Sequence, residues 1–591
     1  MTSLRQRQAE PQGQDTMVKK APRPERSELL MPAGNLLKLK MAVLYGADAV
    51  YLGTPDMSLR VKSQFALEDV IEGVRFAHEH GVRVYLTLNL FSHNKDIVKL
   101  PTFIETIRQI KPDGVIIADP GVFNFVAMNA PDLELHISTQ ANVCSWLSVD
   151  FWEKQGASLV VMAREVSFEE LGEIREKCPD IKLEAFIHGS MCMTYSGRCL
   201  LSNFMAERGA NQGSCANSCR WNYKVHMKLK DGTIKELELT EENKELFEFF
   251  LEEDHRQGEL LPIEEDDRGS YILNSKDLCL MPVLDDYLKL GVDSLKVEGR
   301  GKSPYYAAAV ARAYRMAIDD WYSDPENWSP DIYMEELQSV PSRGYTFAFH
   351  EGRLTNHAHN YEHTATIAEF EYAGHIDRVD EEALYVSVKN KLVAGDVLEF
   401  LPPKHRDTVM LRLYDYDIVQ KNGRPQRPET ATEVNAGPQP VIRIPFSSFD
   451  RMTPDEVIAM LPPYSIVRKE RALTQAEWDR IKLDTAAQRV ELGVGSEALY
   501  RRRLDTLKDS IDEAKTNLRP KSPRLGVEGC CGRGCNGCLV FWNDPSYAKA
   551  RELLAKKKSG EMLNTDMHDS KIDAALNRGI EADGQEQKKS A

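Results

Sequence analysis

The eleven cysteines of this 591-residue chain are unevenly spread, and eight of them fall into two groups with the spacing of metal ligands. Cys192, Cys199, Cys215 and Cys219 lie within GSMCMTYSGRCLLSNFMAERGANQGSCANSCRWNY in the pattern C-x6-C-x15-C-x3-C. This is neither the short knuckle of a zinc ribbon nor the tight run of a bacterial ferredoxin. Four thiolates at this spacing could hold zinc or an iron–sulfur cluster, and ligand softness does not choose between them. Cys530, Cys531, Cys535 and Cys538 form a second, more compact group, CCGRGCNGC, suited to wrapping one zinc or a second iron–sulfur centre. Cys144 and Cys178 sit in apolar or helical contexts and read as inert core thiols, while Cys279 stands alone.

A second constellation lies where strands are expected to end. Period-two alternation puts Glu184, Phe186 and His188 on one face of a strand, and Lys296, Glu298 and Arg300 on one face of another, with Lys302 following. His136, Ser138 and Gln140 share a third strand, and a fourth ends in Arg164-Glu165. Taken one at a time, each is equally well a buried ion pair. Together they describe a polar, cationic pocket. Arg164, Lys296, Arg300 and Lys302, with Gln140, would suit an anionic ligand, and Glu184, His188 and Glu298 are candidates for proton transfer.

The elements that would position these groups form a repeat of short apolar strand, polar turn and amphipathic helix between Glu28 and about Asp320. The strands are ELLMPA (28–33), DAVYLGT (48–54), VRVYLTLN (82–89), DGVIIAD (113–119), ELHIST (134–139), SLVVMAR (158–164), KLEAFIHG (182–189) and DSLKVEG (293–299). Several are entered through a Gly-x-Asp type turn, as in GADAVYL and GVDSLKV. Eight strands alternating with helices predict a (β/α)8 TIM-like barrel over 28–340, whose reactive groups belong at the strand C-termini. It carries the cysteine loop (190–222) and an acidic, helix-prone insertion (223–270). Alternation over HTATIAEFEYAGHIDRVDEEALYVSVKNKLVAGDVLEFL (363–401), with VIRIPF and YSIVRKE, predicts a small antiparallel β-barrel domain over 360–470. A helical segment (472–520), a Cys-rich module (526–560) and a polar tail (561–591) would follow, and residues 1–27 read as a disordered tail.

Seventy-five Lys+Arg against 91 Asp+Glu give a net charge of −16, which argues against broad non-specific nucleic-acid binding but leaves room for a local basic surface such as RRRLDTLK (501–508). No apolar run is long enough to span a membrane and the first residues lack an apolar signal core, so a cytoplasmic chain with reduced, metal-binding thiols is expected. There is no HExxH and no GxSxG elbow. In GRGKS (299–303) the first glycine of a phosphate loop is replaced by Lys296, which excludes a P-loop.

The stretch EAFIHGSMCMTYSGRCLLS resembles the signature of the U-32 peptidase-like (collagenase-like) family. The resemblance extends through MPAGNLLKLKMAVLYGADAVYLG, STQANV, MAREVS, NSKDL and KVEGRGKSPYYAA into NYEHTATIAEF and SVKNKLVAGDVLEF, covering roughly residues 28–470. The later stretches look most like the family's tRNA hydroxylation proteins. The resemblance implies an oxygen-independent hydroxylase that forms 5-hydroxyuridine at the wobble position of tRNA, with a 4Fe-4S cluster and prephenate as hydroxyl donor. It implies Cys192, Cys199, Cys215 and Cys219 as cluster ligands, with Cys279 competing for the fourth place because some relatives use a later cysteine. Ribosomal RNA cytidine or a quinone precursor is the alternative acceptor. A peptidase, or a zinc-stabilised binding module without catalysis, is a weaker reading. The C-terminal cysteines depart from the shorter hydroxylases, and neither the oligomeric state nor the electron source is legible.

Overall fold

The computed structural model describes residues 23–53, 66–89, 92–191, 275–352, 368–419 and 440–471, with the backbone of short strands between 226 and 271 and a few residues near 358, 366, 426 and 434. All belong to the first of two compact units, Met1–Glu491. Both cysteine groups, the segments expected over 472–520, 526–560 and 561–591, and the first 22 residues lie outside the described residues.

All eight expected strands form. β1 (Glu28–Pro32), β2 (Ala49–Gly53), β3 (Arg83–Leu88), β4 (Gly114–Ile117), β5 (Glu134–Ile137), β6 (Leu159–Val161), β7 (Lys182–Ser190) and β8 (Ser294–Val297) pair in parallel in that order. β8 pairs with both β7 and β1, closing the barrel. The Asp of these turns, Gly-x-Asp before β2 and β8 and Lys-Pro-Asp before β4, has a structural reason. Asp48, Asp113 and Asp293 each stand just before an even-numbered strand and accept the first free N–H of the preceding one: Leu29 at 2.8 Å, Val84 at 2.8 Å and Leu183 at 2.9 Å. A buried N–H without a partner would be costly, so this carboxylate is part of the repeat itself. Asp293 also holds the guanidinium of Arg23, which donates to Gly291 O and Pro179 O as well, and Ser27 Oγ donates to Val292 O. Residues 23–27 are therefore anchored to the barrel, unlike the free tail expected there.

β7 outgrows the barrel. Its lower part pairs with β6 and β8, whereas His188, Gly189 and Ser190 pair antiparallel with a short strand, Asp277–Cys279, which in turn pairs in parallel with Tyr345–Thr346. Between these two pairings lies the insertion expected over 223–270 to be helix-prone, most of which is outside the described residues. Its described backbone forms antiparallel strands, His226–Lys228 with Ile234–Glu236, and Phe249–Glu252 with Leu260–Asp266 and Gly269–Tyr271. The acid-rich composition suggested helix, but FFLE and LLPIEED are short apolar and aromatic runs, which favour extended backbone.

The expected antiparallel domain is a curled eight-stranded sheet. Its centre is formed by Phe370–Val379, Ala383–Val388, Val397–Leu401, Val441–Pro445 and Ile466–Glu470. Val386, Leu398, Phe400, Ile442, Ile444 and Val467 fill its concave core. It is fixed to the barrel by polar contacts. Tyr45, at the end of helix α1 (Leu36–Leu44), donates to Leu401 O at 2.6 Å and accepts from Ile466 N at 2.8 Å. Arg468 reaches Glu399 within the sheet (2.8 Å) and Glu336 and Ser339 Oγ (3.1 and 2.9 Å), at and just beyond a barrel-side helix, Asp331–Gln338. No described helix is long and apolar enough to cross a membrane.

Candidate active site

The register stacks the inward side chains in layers. Leu30, Ala49, Tyr51, Tyr85 and Ile116, from β1–β4, form an apolar cluster. The rest of the lumen is charged. Glu28 accepts the Arg83 guanidinium and the Tyr85 hydroxyl. Glu134 accepts Lys182 Nζ at 2.7 Å and lies 3.4 Å from His136 Nε2. Glu184 accepts Lys296 Nζ at 2.6 Å and Ser294 Oγ at 2.9 Å. Glu184 is 0% and Lys296 5% exposed, so each supplies the counter-charge the other needs in a dry interior. Burial pushes Glu28 up to about 7 and Lys296 below the usual ammonium value. For Glu134 burial acts upward too, but the hydrogen bonds from His136 and Lys182 outweigh it and hold the carboxyl at about 2.

Above this ladder, at the C-terminal mouth, cations alternate with rings. Lys296 Nζ lies 4.4 Å from the Tyr51 ring centroid and 5.6 Å from that of Phe186. Arg164 lies over the same Phe186 ring, 4.1 Å from its centroid. Arg300 lies 5.8 Å from Tyr51 and donates to Thr87 Oγ1 at 3.0 Å. Gly34 lets β1 approach Arg300, because a Cβ there would fall 1.9 Å from Arg300 O. Asn89 donates to Ser138 Oγ at 3.4 Å, yet Asn89 Oδ1, Gln140 Oε1 and His136 Nδ1 are buried without a protein partner. Unsatisfied buried polar atoms are costly, and the Asn89 and Gln140 amide oxygens can accept from a ligand hydroxyl or water. The mouth thus offers cations and aromatic faces to a small anion, and two amide acceptors to its hydroxyl groups.

Arg164, Lys296 and Arg300 meet here, with Glu184 beneath them, and Gln140 is joined through Ser138 Oγ to Asn89. His188 is not among them. A bulge between Lys296 and Val297 puts His188 opposite Val297, so the alternation expected from Glu184 breaks at this residue. Its ring packs 5.4–5.8 Å from Tyr345, Tyr314 and Tyr306, and burial drives its pKa down to about 3. Lys302 Nζ lies in the same outer cluster, 3.4 Å from Asp277 Oδ2 and 5.3 Å from the Tyr306 ring. The half-exposed Glu298 borders it, since its carboxylate helps to raise the Tyr306 pKa behind the effect of burial, and its carbonyl accepts the Tyr306 hydroxyl. Cys279 points inward here, 3.9 Å from Tyr314 Oη and 3.8 Å from Met334 Sδ, and burial raises its thiol to about 12. Cys192, Cys199, Cys215, Cys219, Cys530, Cys531, Cys535 and Cys538 lie outside the described residues. Among the described ones no three His, Cys, Asp or Glu side chains gather as metal ligands.

Sequence reasoning missed Glu28, Arg83, Glu134, Lys182 and Ser294. The signal was present: each is a polar residue at the start of its strand, on the same parity as the lumen residues above it. Tyr51, Thr87 and Asn89 were missed because they read as ordinary strand residues.

A closed parallel barrel with its polar site at the strand C-termini places the chain among the (β/α)8-barrel proteins whose chemistry sits at that face. The chain belongs to peptidase family U32, whose profile matches residues 34–360. It is 40% identical over 406 residues to tRNA hydroxylation protein P of Escherichia coli, covering 64% of this chain and 87% of that protein. It is 36% identical over 384 residues to tRNA hydroxylation protein P1 of Bacillus subtilis, covering 64% and 84%. It is also 31% identical over 294 residues to the 23S rRNA 5-hydroxycytidine C2501 synthase of Escherichia coli, covering 50% and 39%.

Proposed function

We propose that this protein is an RNA-modifying hydroxylase acting on tRNA in the cytoplasm, forming 5-hydroxyuridine at the wobble position. The observation that carries the reading is the cation- and ring-lined mouth with its unpaired polar atoms, in a chain that matches proteins named for tRNA hydroxylation over most of their length. Prephenate, a dicarboxylate, suits that mouth: Arg164, Arg300 and Lys296 would hold its carboxylates and Tyr51 and Phe186 its ring. Oxygen itself is not required in this reading.

Cys192, Cys199, Cys215 and Cys219 would hold a 4Fe-4S cluster, a soft-ligand set that fits it chemically. The orientation of Cys279 towards Tyr314 and Met334 supports Cys219 as the fourth ligand. The cluster would supply redox or Lewis-acid chemistry, while the barrel binds and orients the anion and excludes water. Cys530, Cys531, Cys535 and Cys538 would hold zinc or a second cluster.

A peptidase reading gains nothing from the site: burial raises the thiols of Cys144, Cys178 and Cys279, the three described cysteines, away from the nucleophilic thiolate. The likeness to the 23S rRNA synthase supports a second reading, rRNA cytidine as acceptor.

Mass spectrometry of tRNA nucleosides from a strain lacking this gene and any overlapping pathway tests the proposal. Restoration of 5-hydroxyuridine derivatives by wild type but not by Cys192→Ala is expected. An unchanged tRNA profile overturns it, and loss of 5-hydroxycytidine from rRNA in the same strain would select the second reading.

A further inference from the structure

The barrel's interior charges are not isolated pairs: a serine hydroxyl joins three of them into one line. Glu28 lies at the start of β1, where it meets Arg83, whose side chain is 36% exposed at the N-terminal end of the barrel. Glu28 Oε1 is 3.4 Å from Ser294 Oγ, Ser294 Oγ is 2.9 Å from Glu184 Oε2, and Glu184 Oε1 is 2.6 Å from Lys296 Nζ. Lys296 then faces the rings of the mouth. Glu28, Ser294, Glu184 and Lys296 are all no more than 5% exposed.

We propose that Glu28, Ser294 and Glu184 relay protons through the barrel from its N-terminal face to Lys296 at the mouth, making Lys296 the proton donor to the bound anion. This rests on the reading of the mouth as the reaction site. The central piece is Ser294, a single hydroxyl between two carboxylates, with one proton to give and lone pairs to receive another. In one transfer, protonated Glu28 gives its proton to Ser294 Oγ as Ser294 gives its own to Glu184 Oε2. A half-turn of the Glu184 carboxyl then brings that proton from the Oε2 side to Lys296, which takes it up as a neutral amine, and the resulting ammonium delivers it to the ligand. The balance is one proton moved. Glu28 is left as a carboxylate and is reprotonated by water at the N-terminal face, and no electrons change hands.

The surroundings fit a carboxyl that gains and loses a proton near neutrality. Facing Glu28 are Arg83 and Tyr85 from β3, Asp48 from the turn before β2, Glu184 from β7 and Ser294 from β8. Burial together with the Glu184 and Asp48 carboxylates outweighs Arg83 and brings Glu28 to about 7. Facing Lys296 are Glu184, Arg300 and Arg164, and burial with the two arginines favours release of its proton against the pull of Glu184. A fixed structural ion pair would need neither the serine bridge nor a carboxyl poised in this range.

Steady-state rates of the full-length holoenzyme against pH, for wild type, Ser294→Ala, Ser294→Thr and Glu28→Gln, test the relay. Loss of the hydroxyl in Ser294→Ala should lower kcat by about 10- to 100-fold with KM unchanged. It should also abolish the near-neutral limb of the pH profile, and Ser294→Thr should restore both. Infrared difference titration across neutrality is independent of activity. A protonated-carboxyl band should titrate in wild type and be missing from Glu28→Gln. Wild-type kcat and pH profile in Ser294→Ala, or no titrating band in wild type, would overturn the proposal. If the wild type hydroxylates no RNA, the functional reading falls and the relay falls with it, whereas RNA hydroxylation at the full wild-type rate in Ser294→Ala overturns the relay alone.

Discussion

Glu184 and Lys296 show why residue type alone is ambiguous and geometry is not. Both were legible as polar residues of matching parity on two strands, and the structure joins them at 2.6 Å inside a dry barrel. Glu184→Gln removes one charge and leaves the buried ammonium without its partner. We expect a loss of about 3–5 kcal/mol, read as a lowered urea midpoint with unchanged slope. His188 shows the opposite case. Its sequence position predicts a lumen side chain, but one bulged register step sends it to the tyrosine cluster, and a register step is set by strand pairing at a distance that alternation does not encode. Glu28 was hidden differently. It reads as the polar lead-in to ELLMPA until Arg83, 55 residues later in the chain, arrives beside it.

At the scale of elements, the strands were legible because each combines an apolar run with a turn that performs a stated task. Asp48, Asp113 and Asp293 cap neighbouring strands, so the repeat seen in sequence is a repeat of hydrogen bonds. The upper part of β7 was less legible, since its partner Asp277–Cys279 follows after a long interval and only three residues pair. Gly189 lies at this point with φ +117°, and a Cβ there would fall 2.4 Å from Glu298 O. Gly189→Ala must therefore push β7 from the chain after β8. We expect a cost of about 1–3 kcal/mol in thermal unfolding, accompanied by lost activity because the strand leads directly into Cys192.

At the scale of the whole molecule, hydrogen bonds and buried ion pairs join the barrel to the curled sheet. Arg468 is 6% exposed, reaches both bodies, and stacks 4.2 Å from the Phe370 ring. Arg468→Met would leave the Glu399 carboxylate uncompensated and weaken the hold on Glu336, which Arg312 also binds at 3.0 Å. A loss of about 3–5 kcal/mol is expected, with calorimetry resolving two transitions where wild type shows one for these two bodies. None of this was legible in composition, which reports net charge and not which charges face one another. The fork in β7 has a consequence for descent as well. Ser190 leaves the barrel directly opposite Asp277, where the chain returns, so the ends of the long excursion are pinned as one antiparallel pair about 5 Å apart. With its two ends already stapled, this segment can gain or lose residues beyond the cysteine loop at a closure cost that grows only logarithmically, while the barrel beneath keeps its register.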